Sequence, residues 1–309
     1  MSTTPSTLAD RYAGTLLGLA CGDALGATVE FTSREEIVEK FPNGHREMVG
    51  GGWLHTAPGE VTDDTQMTLG LLNAMTIAGV DMNLLTDQFL KWYHSKPKDI
   101  GNTTNRSLGA LAAGVPWDQA GLHGLDNRPI ESAAANGAVM RCAPVALRFR
   151  GQPERLVEAS LDTARITHIE PRAMWGTVAV NQGIVHLLNG GSFDDLPEAA
   201  VAGVENDDVR ERVLAARNAD PAKMRAGGFV LDTIGAAYWA LLNHDNLEET
   251  IVAAVALGDD ADTTGAVAGA LAGAAYGKSA IPRRWLDVLQ PREELEAHAG
   301  RLLALAGTR

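Results

Sequence analysis

The chain of 309 residues has few aromatics: Phe, Trp and Tyr together make up 5%. A core built without them must rely on aliphatic side chains and close backbone approach, and the 33 glycines permit the latter. Cysteine is scarcer still. Cys21 and Cys142 are the only two, each in an apolar setting, so a disulfide framework is not expected. Basic residues are outnumbered, with 26 Lys and Arg against 39 Asp and Glu and a net charge of −13. That argues against a nucleic-acid partner, which needs clustered cations. It leaves room for a small nucleotide-like ligand held by a few local donors. No apolar run reaches about 18 residues without Gly or a charge, so no membrane span is expected. The opening MSTTPSTLADRYAG lacks the basic-then-apolar order of a signal peptide. The expectation is a soluble, cytoplasmic protein.

Period-two alternation of β-branched residues is also rare, and there is no Pro/Ser-rich linker. Apolar residues recur instead at helical spacing. The pattern predicts helices over 8–26, 65–79, 84–95, 104–114, 138–149, 153–168, 172–190, 228–243 and 247–258. Loops are expected at 40–62, 96–103, 115–137 and 218–227. The fold class is all-α: one compact multi-helix domain over 8–309 behind a flexible tail of residues 1–7. The acidic run at 193–208 reads as a solvated face.

One internal echo stands out. Gly14, Gly18, Gly22 and Gly26 recur every four residues, as do Gly265, Gly269, Gly273 and Gly277. A spacing of four makes one narrow stripe on a helix. Such a stripe lets two helices approach closely. Acids flank both stripes: Asp23 and Glu30 sit by the first, Asp260 and Asp262 by the second. The stripes can therefore be plain helix packing and also carry acids to a shared place.

Asp259, Asp260 and Asp262 lie between two runs of little but Ala, Val, Leu and Gly, and VTDDTQMTLG at 61–70 repeats the theme. Like charges repel and are costly to bury unless compensated. One reading is N-capping, since Thr and Asp satisfy the free amides of a helix start. The other is a cation site. Carboxylates from Asp63, Asp64, Asp260 and Asp262 and hydroxyls from Thr62 and Thr263 suit hard divalent ions such as Mg²⁺, Mn²⁺ or Ca²⁺. Neither cluster contains His or Cys, which disfavours zinc. Four carboxylates carry enough charge for two divalent ions, and a two-metal site can activate water and hold substrate oxygens.

GDALGATVEF (22–31), TDDTQ (62–66), DIGNTT (99–104), NGAVMR (136–141), ITH (166–168) and DDADTTGAVAGALAGAAYG (259–277) together resemble the ADP-ribosylglycohydrolase family. Within it the chain is most similar to bacterial members of the dinitrogenase reductase activating glycohydrolase kind. The motifs run through nearly the whole chain. The resemblance implies an all-helical fold with a binuclear Mg²⁺ or Mn²⁺ centre in a cleft. It implies hydrolysis of the glycosidic bond between ADP-ribose and a protein side chain, usually arginine. By motif match Thr62, Asp63, Asp64, Asp260, Asp262 and Thr263 correspond to the metal ligands. Glu30 corresponds to the acid that activates or positions water, and Asp99 to a residue facing the guanidinium. The catalytic set is thus Glu30, Asp99, Asp63 and Asp262. Asn102, Asn136, Gly137, Ala138, Met140 and His168 match the wall that binds ribose and diphosphate. Phe229 takes the place of an adenine-stacking aromatic. Gly52 and Trp53, in a Gly-rich loop, are placed over the ribose. The implied partner is an ADP-ribosylated protein or free ADP-ribose, and the chain is expected to be a monomer.

The chain departs from the family pattern at Asp259, where relatives often carry Gly, and at Gln66 and Ala135. The remaining histidines are scattered and are not given catalytic roles. Two other readings stand beside the arginine-linked hydrolase. One is a hydrolase of serine-linked or small-molecule ADP-ribosyl conjugates, and the other a non-enzymatic ADP-ribose binder.

Overall fold

A computed structural model describes residues 6–307. The described residues form sixteen α-helices and, apart from three isolated bridges, no β-structure. In chain order the helices begin with α1 Leu8–Gly26, α2 Arg34–Lys40, α3 Asp63–Asn73 and α4 Met82–His94. They continue with α5 Asn102–Ala112, α6 Trp117–His123, α7 Ala143–Phe149 and α8 Pro153–Arg165. Next come α9 Pro171–Leu188, α10 Leu196–Ala200, α11 Asp207–Ala215 and α12 Val230–Asn243. The last four are α13 Leu247–Val255, α14 Ala261–Tyr276, α15 Arg283–Leu286 and α16 Arg292–Gly307.

The glycine stripes explain the centre of the molecule. α1 is buried without a break from Gly14 to Gly26, and α14 from Ala261 to Ala274. A helix apolar all round belongs in a core. The two run antiparallel, stripe to stripe. A Cβ added at Gly22 would lie 1.9 Å from the Gly265 carbonyl oxygen, and one at Gly18 would lie 2.2 Å from that of Gly269. One at Gly14 would lie 2.5 Å from that of Gly273. Backbone therefore rests on backbone for three turns. Each helical Gly costs about 0.5–1 kcal/mol against Ala, so the stripes persist because this contact offsets the loss. α9, α12 and α13 pack around α14, and α16 packs on α1.

Several element boundaries differ from the sequence reading. α3 starts at Asp63 and stops at Asn73, before the predicted 79, because Thr76 and Gly79 close a turn. In that turn the Thr76 hydroxyl donates to the Gly79 carbonyl at 2.9 Å. The predicted helix 138–149 is helical only from Ala143. Before it the chain turns, and the buried Arg141 guanidinium braces that turn by donating to the Gly137 carbonyl (2.8 Å) and Thr167 Oγ1 (2.6 Å). The expected loop 115–137 contains α6, and the acidic run 193–208 contains α10, whose Leu196, Pro197 and Ala200 are buried. α16 was not expected. Its buried face of Leu295, Ala299 and Leu302 has helical spacing, but charged neighbours dilute the pattern. Of the predicted tail 1–7, residues 1–5 lie outside the described residues. Thr7 caps α1 by accepting from the Asp10 amide at 3.1 Å.

Candidate active site

The α1–α14 register fixes where the acids meet. It sets the end of α1, with Asp23 and the following turn carrying Glu30, against the start of α14, with Asp260 and Asp262. A Cβ on Gly26 would touch the Asp262 backbone at 2.4 Å. α3, α5 and α12 also begin here, behind Thr62, Gly101 and Phe229. At none of these four helix starts does the N-cap residue's own side chain make a cap hydrogen bond. Their partial positive ends favour anions at this place.

Capping does not account for the carboxylates of α3. That task falls to Asp23, reaching over from α1. Its carboxylate accepts from the Thr62 amide at 3.0 Å and the Thr65 amide at 3.1 Å. It also accepts from the hydroxyls of Thr62 (3.0 Å) and Thr65 (2.5 Å). Asp63 and Asp64 are thereby left free. Thr62 Oγ1 lies 3.3 Å from both Asp64 Oδ2 and Asp262 Oδ2, and Thr263 Oγ1 lies 3.4 Å from Asp64 Oδ2. Asp64 Oδ1 is buried with no partner. Carboxylate oxygens of Glu30, Asp99 and Asp262 converge within 4.8 Å of one another. An orphaned buried carboxylate oxygen in an all-oxygen set with no cation fits a hard divalent ion.

Burial first, and for most of them neighbouring charge second, raises the pKa of the acids. Burial pushes Glu30 up to about 8, with Asp99, Asp260 and Asp23 adding to the rise and the Trp53 indole opposing it. Burial likewise lifts Asp23 to about 6 against its four hydrogen bonds. Asp63, Asp64 and Asp262 are held well above the carboxylate range, first by burial and then by their like-charged neighbours. Asp99 is raised by burial, with the Asp63 carboxyl beside it opposing the rise.

Above this floor opens a cavity of about 490 Å³, within the usual range for small-molecule sites. Glu30, Asp63, Asp99, Asp260, Asp262 and Thr263 form its acidic end. Thr62 and Asp64 lie beneath. Asn102, Asn136, Gly137, Met140, His168 and Phe229 are on the walls. Asn136 donates to Asp260 Oδ2 and Thr233 Oγ1, both at 2.9 Å. His168 lies against Gly137, where a Cβ would be 2.8 Å from its ring. Burial, then Arg141, pushes its pKa down to about 3, so the imidazole is neutral. Its Nδ1 is 2.7 Å from Thr167 Oγ1. Phe229 presents a half-buried ring with the Arg172 guanidinium 5.4 Å from its centroid.

Three predicted residues are elsewhere. Ala138 is buried off the wall. Gly52 packs under the site, where a Cβ would meet the Ala27 carbonyl at 2.4 Å. Trp53 stands at the rim and donates from Nε1 to Glu30 Oε2 at 2.6 Å. Asp259 is exposed, with a left-handed backbone (φ 54°) that glycine enters freely. Its carbonyl accepts from the Phe31 amide at 2.6 Å. The sequence reading missed Arg106 and Arg128, two cations on the cavity wall. Arg106 was within reach, since it follows Asn102 by four residues on α5 and so shares its face. Arg128 arrives on a loop and left no signal.

A family model described as ADP-ribosylglycohydrolase matches residues 4–309. The chain is 37% identical over 303 residues to the ADP-ribosyl dinitrogen reductase glycohydrolase of Rhodospirillum rubrum, covering 96% of this chain and 97% of that one. It is 35% identical over 309 residues to the ADP-ribosylarginine hydrolase Tri1 of Serratia proteamaculans, covering 96% of this chain and 80% of that one. A solved structure titled ADP-ribosylglycohydrolase-related protein complex superposes with a TM-score of 0.84 at 37% identity, covering 97% of this chain and 99% of its own.

Proposed function

This chain belongs to the ADP-ribosylglycohydrolase family, and we propose that it hydrolyses the bond between ADP-ribose and a modified arginine side chain, reversing mono-ADP-ribosylation. The observation that carries the reading is the convergence of Glu30, Asp99 and Asp262 within 4.8 Å at the acidic end of a cavity sized for a nucleotide sugar. In this reading Thr62, Asp63, Asp64, Asp260, Asp262 and Thr263 hold two Mg²⁺ or Mn²⁺ ions. Such ions supply polarisation of ribose oxygens and a more acidic water.

The chain's own residues do the rest. Glu30 takes the proton of the attacking water, a task suited to its raised pKa. The surrounding carboxylates stabilise the oxocarbenium-like centre that forms as the glycosidic bond breaks. Asp99 faces the departing guanidinium and pairs with it. Neutral His168, Asn136 and the Gly137 amide hold the ribose and diphosphate, helped by the helix starts. Arg106 and Arg128 add the positive charge that an anionic ligand needs at the far wall. Phe229 stacks on the adenine. The chain is read as a cytoplasmic monomer, in keeping with two free, buried cysteines.

The test is ADP-ribose release from an arginine-ADP-ribosylated protein with Mn²⁺ or Mg²⁺, with chelator, and with Asp262→Ala, beside a serine-linked substrate. Release that requires both metal and Asp262 and prefers arginine is expected. Preference for serine would move the substrate assignment to that linkage. ADP-ribose binding without release from either would overturn the enzyme reading in favour of a binding module.

A further inference from the structure

We infer that Trp53 is a positioning residue for Glu30: its indole N–H is the latch that holds this carboxylate over the acidic floor. The inference rests on the reading of Glu30 as the acid that handles the attacking water. The geometry around Glu30 is one-sided. Its carboxylate is drawn within 4.8 Å of the oxygens of Asp99 and Asp262. Three carboxylates at that spacing repel, and a free Glu side chain would turn away toward solvent. Among the described residues one hydrogen-bond donor opposes this, Trp53 Nε1 on Glu30 Oε2 at 2.6 Å. The bond uses one carboxylate oxygen and leaves the other free for chemistry.

The loop that presents Trp53 is built against the backbone leading to Glu30. Gly50, Gly51 and Gly52 all have left-handed backbone, at φ 69°, 94° and 65°. A Cβ on Gly52 would strike the Ala27 carbonyl at 2.4 Å and approach that of Thr28 at 3.1 Å. The loop is closed by paired backbone bonds between Gly51 and Thr56. His45 Nε2, 2.9 Å from the Leu25 carbonyl, ties its approach to the end of α1. The indole ring then rests 5.3 Å from the ring of Phe31, the residue after Glu30, which has a left-handed backbone at φ 58°. Latch and carboxylate thus stand on one clamped unit. Trp53 is off the cavity wall, so this placement favours work through Glu30 over direct contact with the ribose.

Trp53→Phe keeps a ring against Phe31 and removes the N–H. Trp53→His restores a donor, because imidazole Nε2 occupies the same ring position as indole Nε1. With the arginine-linked substrate, Trp53→Phe should lower kcat about ten- to a hundredfold, the worth of one charge-assisted hydrogen bond. KM and the Kd for free ADP-ribose should stay within about twofold, and Trp53→His should recover part of kcat. Equal loss in the Phe and His variants, or a parallel loss of ADP-ribose affinity, would overturn the inference. Crystal structures of the wild type and Trp53→Phe give a readout that needs no turnover. Glu30 should leave the floor in the variant, and a Glu30 that stays in place sinks the latch. If the wild type binds ADP-ribose but releases none, the hydrolase reading fails, while the Glu30 conformer still decides whether Trp53 holds it.

Discussion

Gly22→Ala tests the link between the glycine stripes and the site. In the structure the new Cβ would lie 1.9 Å from the Gly265 carbonyl oxygen, 2.2 Å from its carbon and 2.8 Å from the Ala266 amide nitrogen. All three are backbone atoms, so no side chain can swing aside. Reaching an ordinary contact near 3.5 Å requires the helices to part by about 1.5 Å. Overpacking of this kind costs about 1–3 kcal/mol or more. Alanine's better helix propensity returns up to about 1 kcal/mol. Taking the upper end of that cost, a net loss of about 2 kcal/mol is expected, or roughly 3 °C in Tm for a domain of this size. Function should suffer beyond stability, because α1 leads into the turn that carries Glu30 and α14 starts at Asp260 and Asp262. A misplacement near 1 Å costs on the order of 100-fold in rate. Gly300→Ala is the control: it sits on α16 with nothing within 4 Å of the added Cβ. It should be neutral or stabilise by up to about 1 kcal/mol. Urea unfolding and turnover would be measured for both variants below the lower Tm. A Gly22→Ala variant as stable as the control would refute the backbone-on-backbone packing that organises the fold.

Asp23→Ala should cost about 2 kcal/mol in urea unfolding, since it strips the start of α3 of its cap and leaves buried donors of Thr62 and Thr65 unpaired. It should also weaken Mn²⁺ binding in calorimetry, and unchanged affinity would separate Asp23 from the cation site. Asp99→Ala should lower kcat/KM on an arginine-linked substrate about 100-fold, the effect of unpairing a charged group, and leave the Kd for free ADP-ribose nearly unchanged. Equal losses would remove Asp99 from the guanidinium. The metal-free chain should lose stability as pH rises. Glu30 and Asp23 titrate near 8 and 6 in the folded chain and near 4 when unfolded. Between those values the folded state holds protons that the unfolded chain has released, so stability is full below about pH 4 and falls through the window. Tm measured from pH 5 to 8 in chelator should therefore decline, and Mn²⁺ should flatten the slope. A Tm that rises with pH in chelator contradicts the buried-acid account.

The sequence was legible where period and adjacency carry the information. Glycines four apart mark a helix face, so the α1–α14 contact could be read from Gly14 to Gly26 and Gly265 to Gly277. Adjacent acids before an apolar run marked both ends of the floor. What stayed hidden depends on where loops land. Asp23 caps a helix whose N-cap residue, Thr62, is 39 positions away. Arg128 reaches the cavity from a loop with no period, Trp53 was placed over the ribose but donates to Glu30, and the α7 boundary moved because Arg141 binds the chain 26 residues on at Thr167. Spacing names a face of a helix, but it does not name that face's distant partner.

The same contacts make a costly site stable enough to persist. Burying Asp23, Glu30, Asp63, Asp64 and Asp262 together opposes folding of the metal-free chain, as their raised pKa values state. The four helix starts gathered here supply partial positive charge, but each is worth only about 0.3–1 kcal/mol. Glycine-to-glycine packing supplies the remaining rigidity, because helices in backbone contact cannot slide to let like charges separate. A cation entering this floor would therefore meet ligands already held in place and spend little on ordering them. It would also relieve the repulsion, so binding would stabilise the folded chain by linkage. On this argument the cation's grip and the stability of the α1–α14 contact are one coupled quantity, and a variant that loosens the stripe should weaken Mn²⁺ binding even where no ligand is touched.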